Sequence, residues 1–126
     1  MPEQSILIID DEASIRESLG AYLEDHDFQV ASAESAEEAL AMLRQRHFDL
    51  AVVDMRLPGV SGDAFILEAA KAFPGLQFAI HTGSVEFQLT RELEEQGISS
   101  QDVYLKPLHD LSLLVKGIRA KLNSTR

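Results

Sequence analysis

The sequence contains no cysteine. A disulfide scaffold, a Cys-ligated zinc site and thiol catalysis are therefore excluded. Basic residues are scarce: eleven Lys and Arg face 21 Asp and Glu, for a formal net charge of −10. Such a balance repels phosphate backbones and anionic lipid, so neither nucleic acid nor a membrane is expected as a direct partner. Long apolar runs are missing too. The first, Ile6-Leu7-Ile8-Ile9, is far shorter than a signal-peptide core or a membrane span, and Met1-Pro2-Glu3-Gln4 ahead of it carries no basic side chain. A cytoplasmic location is expected. No repeat or linker-like stretch divides the chain. No Gly-rich phosphate loop is present, which disfavours nucleotide binding.

What remains is the ordinary mix of a folded domain: 126 residues, 45% hydrophobic and 25% charged. That length is enough for one domain with its own core. Residues 1–122 are expected to form it, with residues 123–126 a polar tail or the start of a linker.

Apolar runs and helical patterns alternate along the chain. Ile6–Ile9 and Leu50–Val53 are continuous and rich in β-branched residues, as strands buried on both faces should be. Phe28 to Ser32 alternates apolar and polar, which predicts an edge strand. Leu76 to Ile80 and Val103 to Leu105 predict the fourth and fifth strands. Between them, Ile15, Leu19, Tyr22 and Leu23 recur at helical spacing. Ser35 with Glu38 forms a capping box ahead of Ala36, Ala39, Leu40 and Leu43. Phe65, Ile66, Ala69, Ala70 and Phe73 predict a third helix that stops at Pro74-Gly75. Leu89 and Leu93 place a charged fourth helix ending at Gly97, and Leu111 to Leu122 give a fifth. Five βα units joined by right-handed crossovers predict a flavodoxin-like (βα)5 three-layer α/β sandwich, its parallel sheet ordered 2-1-3-4-5.

In such sheets the site forms at the carboxyl ends of the strands. Those ends carry Asp10-Asp11, Asp54, Thr82 and Lys106. Carboxylates brought together repel one another unless a cation intervenes, and Mg²⁺, a hard ion that keeps room for a phosphoryl oxygen, fits. A carboxylate beside Mg²⁺ can attack phosphorus, with Lys106 and Thr82 stabilising the transferring group. No general base is evident, which suits attack on an already activated phosphate.

At this point the sequence resembles the receiver domains of bacterial response regulators, the CheY-like group. The matching motifs are Ile8-Ile9-Asp10-Asp11-Glu12, Val53-Asp54-Met55-Arg56-Leu57-Pro58-Gly59 with Gly62, Thr82-Gly83, and Leu105-Lys106-Pro107. The resemblance implies that Asp54 accepts phosphate from a sensor histidine kinase or phosphotransfer protein. It implies that Asp11 and Asp54 ligate Mg²⁺ directly, that Asp10 acts indirectly, and that the Arg56 backbone carbonyl completes the shell. Thr82 and Lys106 would bind the phosphoryl group, and the output would pass to a downstream protein or a C-terminal effector domain. The chain would catalyse its own phosphorylation and dephosphorylation without being a turnover enzyme. The resemblance also implies a cis bond between Lys106 and Pro107.

One departure concerns the switch. The family places an aromatic three residues before the lysine, where this sequence has Val103; Tyr104 follows it, and Ile98 to Asp102 lengthen the segment ahead. Either Tyr104 takes the aromatic's role or the shift at Thr82 is read directly by the fourth helix. Two rival readings stand beside this one. A haloacid-dehalogenase-type phosphohydrolase would need an Asp-x-Asp pair and a cap domain. A pseudo-receiver would have lost Asp54 or Lys106. His26, His47, His81 and His109 show no metal-ligand spacing; His81, beside Thr82, is the one to watch.

Overall fold

The computed structural model describes residues 3–84 and 87–123. Its five strands are β1 (Ser5–Ile9), β2 (Gln29–Ala33), β3 (Leu50–Val53), β4 (Gln77–Thr82) and β5 (Val103–Leu105). The helices are α1 (Ala13–Asp25), α2 (Ala36–Gln45), α3 (Gly62–Ala72), α4 (Arg91–Glu95) and α5 (Leu111–Asn123). All pairings are parallel, and the order is β2-β1-β3-β4-β5 as expected.

The sheet separates two apolar packings. On one face Leu7, Ile9, Ala51, Val53, Phe78 and Ile80 meet α2, α3 and Leu93 of α4. On the other, Ile6, Ile8, Leu50, Val52 and Ala79 meet α1 and α5. The alternation along β1, β3 and β4 explains why their sequences read as unbroken apolar runs: both faces are covered.

Several boundaries differ from expectation, each for a physical reason. Strand β4 runs two residues further, through His81 and Thr82, because β5 pairs there in the register Ile80↔Val103, His81↔Tyr104 and Thr82↔Leu105. Leu76 instead belongs to the preceding turn, its N–H donating to the Phe73 carbonyl. Phe28 closes the end of α1 by donating to the Leu23 carbonyl, so β2 starts at Gln29 and ends on buried Ala33. Ser35 caps α2 by accepting from the Glu38 N–H, but Glu38 returns its bond to the Glu34 N–H, so the box is displaced by one residue.

Helix α4 is much shorter than the Leu89–Leu93 spacing suggested. Thr90 Oγ accepts from the Leu93 N–H, so the helix begins after Leu89. Asn123, expected in the polar tail, is the last residue of α5; residues 124–126 lie outside the described residues.

The lengthened segment before β5 is ordered. Ser100–Asp102 form a 3-10 turn capped reciprocally by Ser99 and Asp102. Lys121 of α5 binds this segment, its Nζ 2.9 Å from Asp102 Oδ2 and 2.9 Å from the Gly97 carbonyl. Ile98 is buried in the α2/α3/α4 packing and anchors the other side.

Candidate functional site

The carboxyl ends of β1, β3, β4 and β5 lie along one rim, as the parallel pairing requires. Asp10 ends β1 and Asp54 ends β3, and both side chains are almost wholly buried. Asp11 and Glu12 follow on the exposed turn into α1. Asp10, Asp11, Glu12 and Asp54 each offer a carboxylate oxygen, and these oxygens lie within 4.8 Å of one another.

Lys106 enters this cluster from the end of β5. Its Nζ is 2.8 Å from Asp10 Oδ2, 3.2 Å from Asp54 Oδ2 and 3.2 Å from Glu12 Oε1. Burial alone would lower the lysine pKa; the bond to Asp10 and the charges of Asp10 and Asp54, with Glu12, overcome this and raise it. Lys106 is therefore an ammonium at neutral pH. Asp10 shows the opposite balance. Burial raises its pKa, and the bonds from Lys106 and from the Glu12 N–H only partly offset that. The Lys106-Pro107 peptide is cis, as the resemblance implies.

The β3–α3 loop folds back over Asp54. The Arg56 N–H donates to Asp54 Oδ1 at 3.2 Å, and the Gly62 N–H donates to the Met55 carbonyl. Gly62 has a steric reason to be glycine. A Cβ there would overlap the Asp54 carbonyl and crowd Met55, so α3 can start this close to β3 only without a side chain. The Arg56 side chain turns to the solvent side, with Nη2 3.5 Å from Ser84 Oγ. Asp11, Glu12, Asp54, Arg56, Gly83 and Lys106 line a shallow pocket of about 300 Å³.

Thr82 sits at the end of β4 and is fully buried. Its Oγ accepts from the Ser84 N–H at 3.2 Å, which leaves the hydroxyl proton free for another acceptor. Val103 packs on the α2/α3/α4 face. Tyr104 lies on the other face, in the α1/α5 packing, with no bulge in the β4–β5 register. Its hydroxyl occupies the space that a side chain at Gly117 of α5 would fill. Tyr104 and Thr82 are thus on opposite sides of the sheet.

Sequence reasoning put Glu12 in a motif but gave it no role, and the structure makes it both a member of the acid cluster and a partner of Lys106. Its place directly after two aspartates at a strand end was the available signal. Ser84, expected only to be drawn toward the site along with Gly83, touches both Thr82 and Arg56.

Residues 6–118 match the response regulator receiver domain family. The chain belongs to that family. A CheY-like receiver domain protein from Methanospirillum hungatei is 30% identical, superposes with a TM-score of 0.85 and is matched over 97% of this chain and 95% of that one. The response regulator TrrA from Thermotoga maritima, solved in complex with Mg²⁺-BeF, is 26% identical with a TM-score of 0.81, covering 94% of this chain and 98% of that one. A response regulator receiver protein of Anaeromyxobacter is 33% identical over 92 residues, which are 73% of this chain and 39% of that protein. The receiver domain spans half or less of the length of the first curated relatives it matches. It is a signalling module of two-component systems and not a classical enzyme, and the phosphohydrolase reading is set aside. No helix among the described residues is long and apolar enough to cross a membrane.

Proposed function

We propose that this receiver domain takes a phosphoryl group on Asp54 in a Mg²⁺-dependent reaction. The observation that carries the reading is Lys106 Nζ lying within 3.2 Å of Asp54 Oδ2 inside a four-carboxylate cluster. An all-oxygen donor set of this kind fits a hard divalent cation. Asp11 and Asp54 would hold Mg²⁺ directly, Asp10 would support it from behind, and the Arg56 carbonyl would complete the protein ligands. The ion would supply neutralisation of the charge on the transferring phosphoryl oxygens.

In the transfer, an Asp54 carboxylate oxygen forms a bond to phosphorus. The P–N bond of a donor phosphohistidine breaks, and its electron pair returns to the imidazole nitrogen, which takes up a proton. Lys106 exchanges its contact with Asp54 for one with a phosphoryl oxygen, and the free proton of Thr82 serves another. Because Thr82 also holds Ser84, movement of its hydroxyl is passed to the segment leading into α4. The donor is a sensor histidine kinase or phosphotransfer protein. The reader of the switched surface is a downstream protein or an effector domain, with no direct nucleic-acid contact and in the cytoplasm.

Incubation with acetyl phosphate and Mg²⁺ should add one phosphate by intact mass. The addition should disappear with chelator and in Asp54→Ala. Unchanged labelling of that variant rejects the assignment, and absence of labelling in the wild-type chain favours a pseudo-receiver.

A further inference from the structure

Within the acid cluster, Asp10, Glu12 and Asp54 are held in place by the protein. Asp10 accepts from the Glu12 N–H and pairs with Lys106, Asp54 accepts from Lys106 and the Arg56 N–H, and Glu12 accepts from Lys106. Asp11 differs. It is exposed, and among the described residues no hydrogen bond or ion pair holds its carboxylate. Its direction therefore follows from the backbone that carries it.

That backbone is anchored from α1. The Asp10 N–H donates to the carbonyl of Ala33, the last residue of β2, so the ladder between β1 and β2 ends there. The Asp10 carbonyl lies past the ladder and needs another donor. Arg16 supplies it: Nη1 donates to that carbonyl at 2.8 Å. Arg16 stands in the first turn of α1, its own N–H donating to the Glu12 carbonyl. Long helix side chains lean toward the N-terminus, which carries the guanidinium back to the end of β1. The Arg16 side chain is only 19% exposed, so it is built into the turn and not spread in solvent. Its Nη2 also lies 3.7 Å from Glu34 Oε2, but Glu34 is exposed and such a pair contributes little.

A peptide unit is planar, so a bond to the Asp10 carbonyl also restrains the Asp11 amide and the Cα behind it. We propose that Arg16 is a positioning residue for cation binding: it holds the Asp10–Asp11 peptide so that the unsupported Asp11 carboxylate stays within reach of Asp10 and Asp54. The inference rests on the Mg²⁺ reading of the acid cluster. It carries a sign that charge alone would reverse. A guanidinium beside the site repels a divalent cation, so by charge its removal tightens binding. By loss of the anchor, its removal loosens binding.

Mg²⁺ titrated calorimetrically into the full chain at neutral pH reads the sign, and carbonyl ¹³C NMR of the metal-free chains reads the bond. Arg16→Met keeps a long side chain without donors. It should move the Asp10 carbonyl resonance in the absence of metal. It should also weaken Mg²⁺ about tenfold, the low end of what losing a group that orients a ligand costs. Arg16→Lys, which keeps the charge and a donor, should recover part of that loss. Glu34→Gln should stay within about twofold of wild type, as an exposed pair allows. Tighter or unchanged Mg²⁺ binding in Arg16→Met, with the Asp10 resonance moved, overturns the positioning role and leaves the cation site standing. Equal weakening in Glu34→Gln assigns the effect to the ion pair and overturns it too. A wild-type chain that takes up no Mg²⁺ overturns the cation reading itself, and this inference with it.

Discussion

Two buried polar residues stand side by side on β4, and they differ in what surrounds them. Thr82 has a partner and a free proton; His81 has neither nitrogen satisfied. The cost of the second follows from its isolation. An unmade buried hydrogen bond costs about 1–3 kcal/mol, so His81→Phe should raise stability by roughly that amount. The pH dependence carries a sign. The His81 pKa is about 4 in the folded chain against the ordinary 6.5, so between these values the unfolded chain binds the extra proton. Stability should therefore be intact above pH 6.5 and fall as pH drops toward 4. Lys106 reinforces the depression, while the charges of Asp54 and Glu12 oppose it. Urea denaturation of wild type and His81→Phe across that interval isolates the effect: the difference between them should widen as pH falls. A constant difference means that His81 is not the group responsible. None of this was legible in the sequence, because the surroundings of His81 come from β4, α1 and the β5–α5 connection, which are far apart along the chain. The acid cluster was legible, since Asp10, Asp11, Asp54 and Lys106 each sit where an apolar run stops, and parallel pairing carries all such stops to one rim.

Strand parity bears on the question that the switch residues raised. In β5 the side chains of Val103 and Leu105 share a face with Ile80 and Thr82, and Tyr104 shares the other with His81. A ring on the α1/α5 side cannot turn into space vacated beside Thr82. We therefore expect beryllofluoride to shift amides in the segment after Thr82 and in α4. The pattern should shrink in Thr82→Ala and survive Tyr104→Phe. Loss of the distant shifts in the tyrosine variant would restore Tyr104 as the relay. The element least readable from sequence was α4. Leu89 and Leu93 are spaced as on one helix face, yet Thr90 caps the chain between them, and side-chain capping outweighs a two-residue apolar pattern. The strands were readable because a parallel sheet covered on both faces demands uninterrupted apolar sequence. That logic missed the end of β4, where His81 and Thr82 are buried for reasons other than hydrophobicity, and it claimed Leu76 and Phe28, which belong to the turns ahead of β4 and β2.

At the scale of the molecule, a net charge of −10 surrounds a site that itself gathers four carboxylates and one ammonium. The rim concentrates the chemistry, and the sheet below keeps two interiors apart. This partition has a consequence for how sequence changes combine. Phe65 of α3 belongs to one packing and Ile118 of α5 to the other, on opposite sides of the five strands. Substitutions without shared partners sum to within about 0.3–0.5 kcal/mol, whereas neighbours in one packing couple by more. A double-mutant cycle of Phe65→Leu with Ile118→Val should close to within that margin, and one of Phe65→Leu with Ile66→Val in the same layer should not. Lineages of this domain can thus rework the layer beneath α1 and α5 without repairing the layer beneath α2 and α3, and the two halves of one small fold are free to drift on separate clocks.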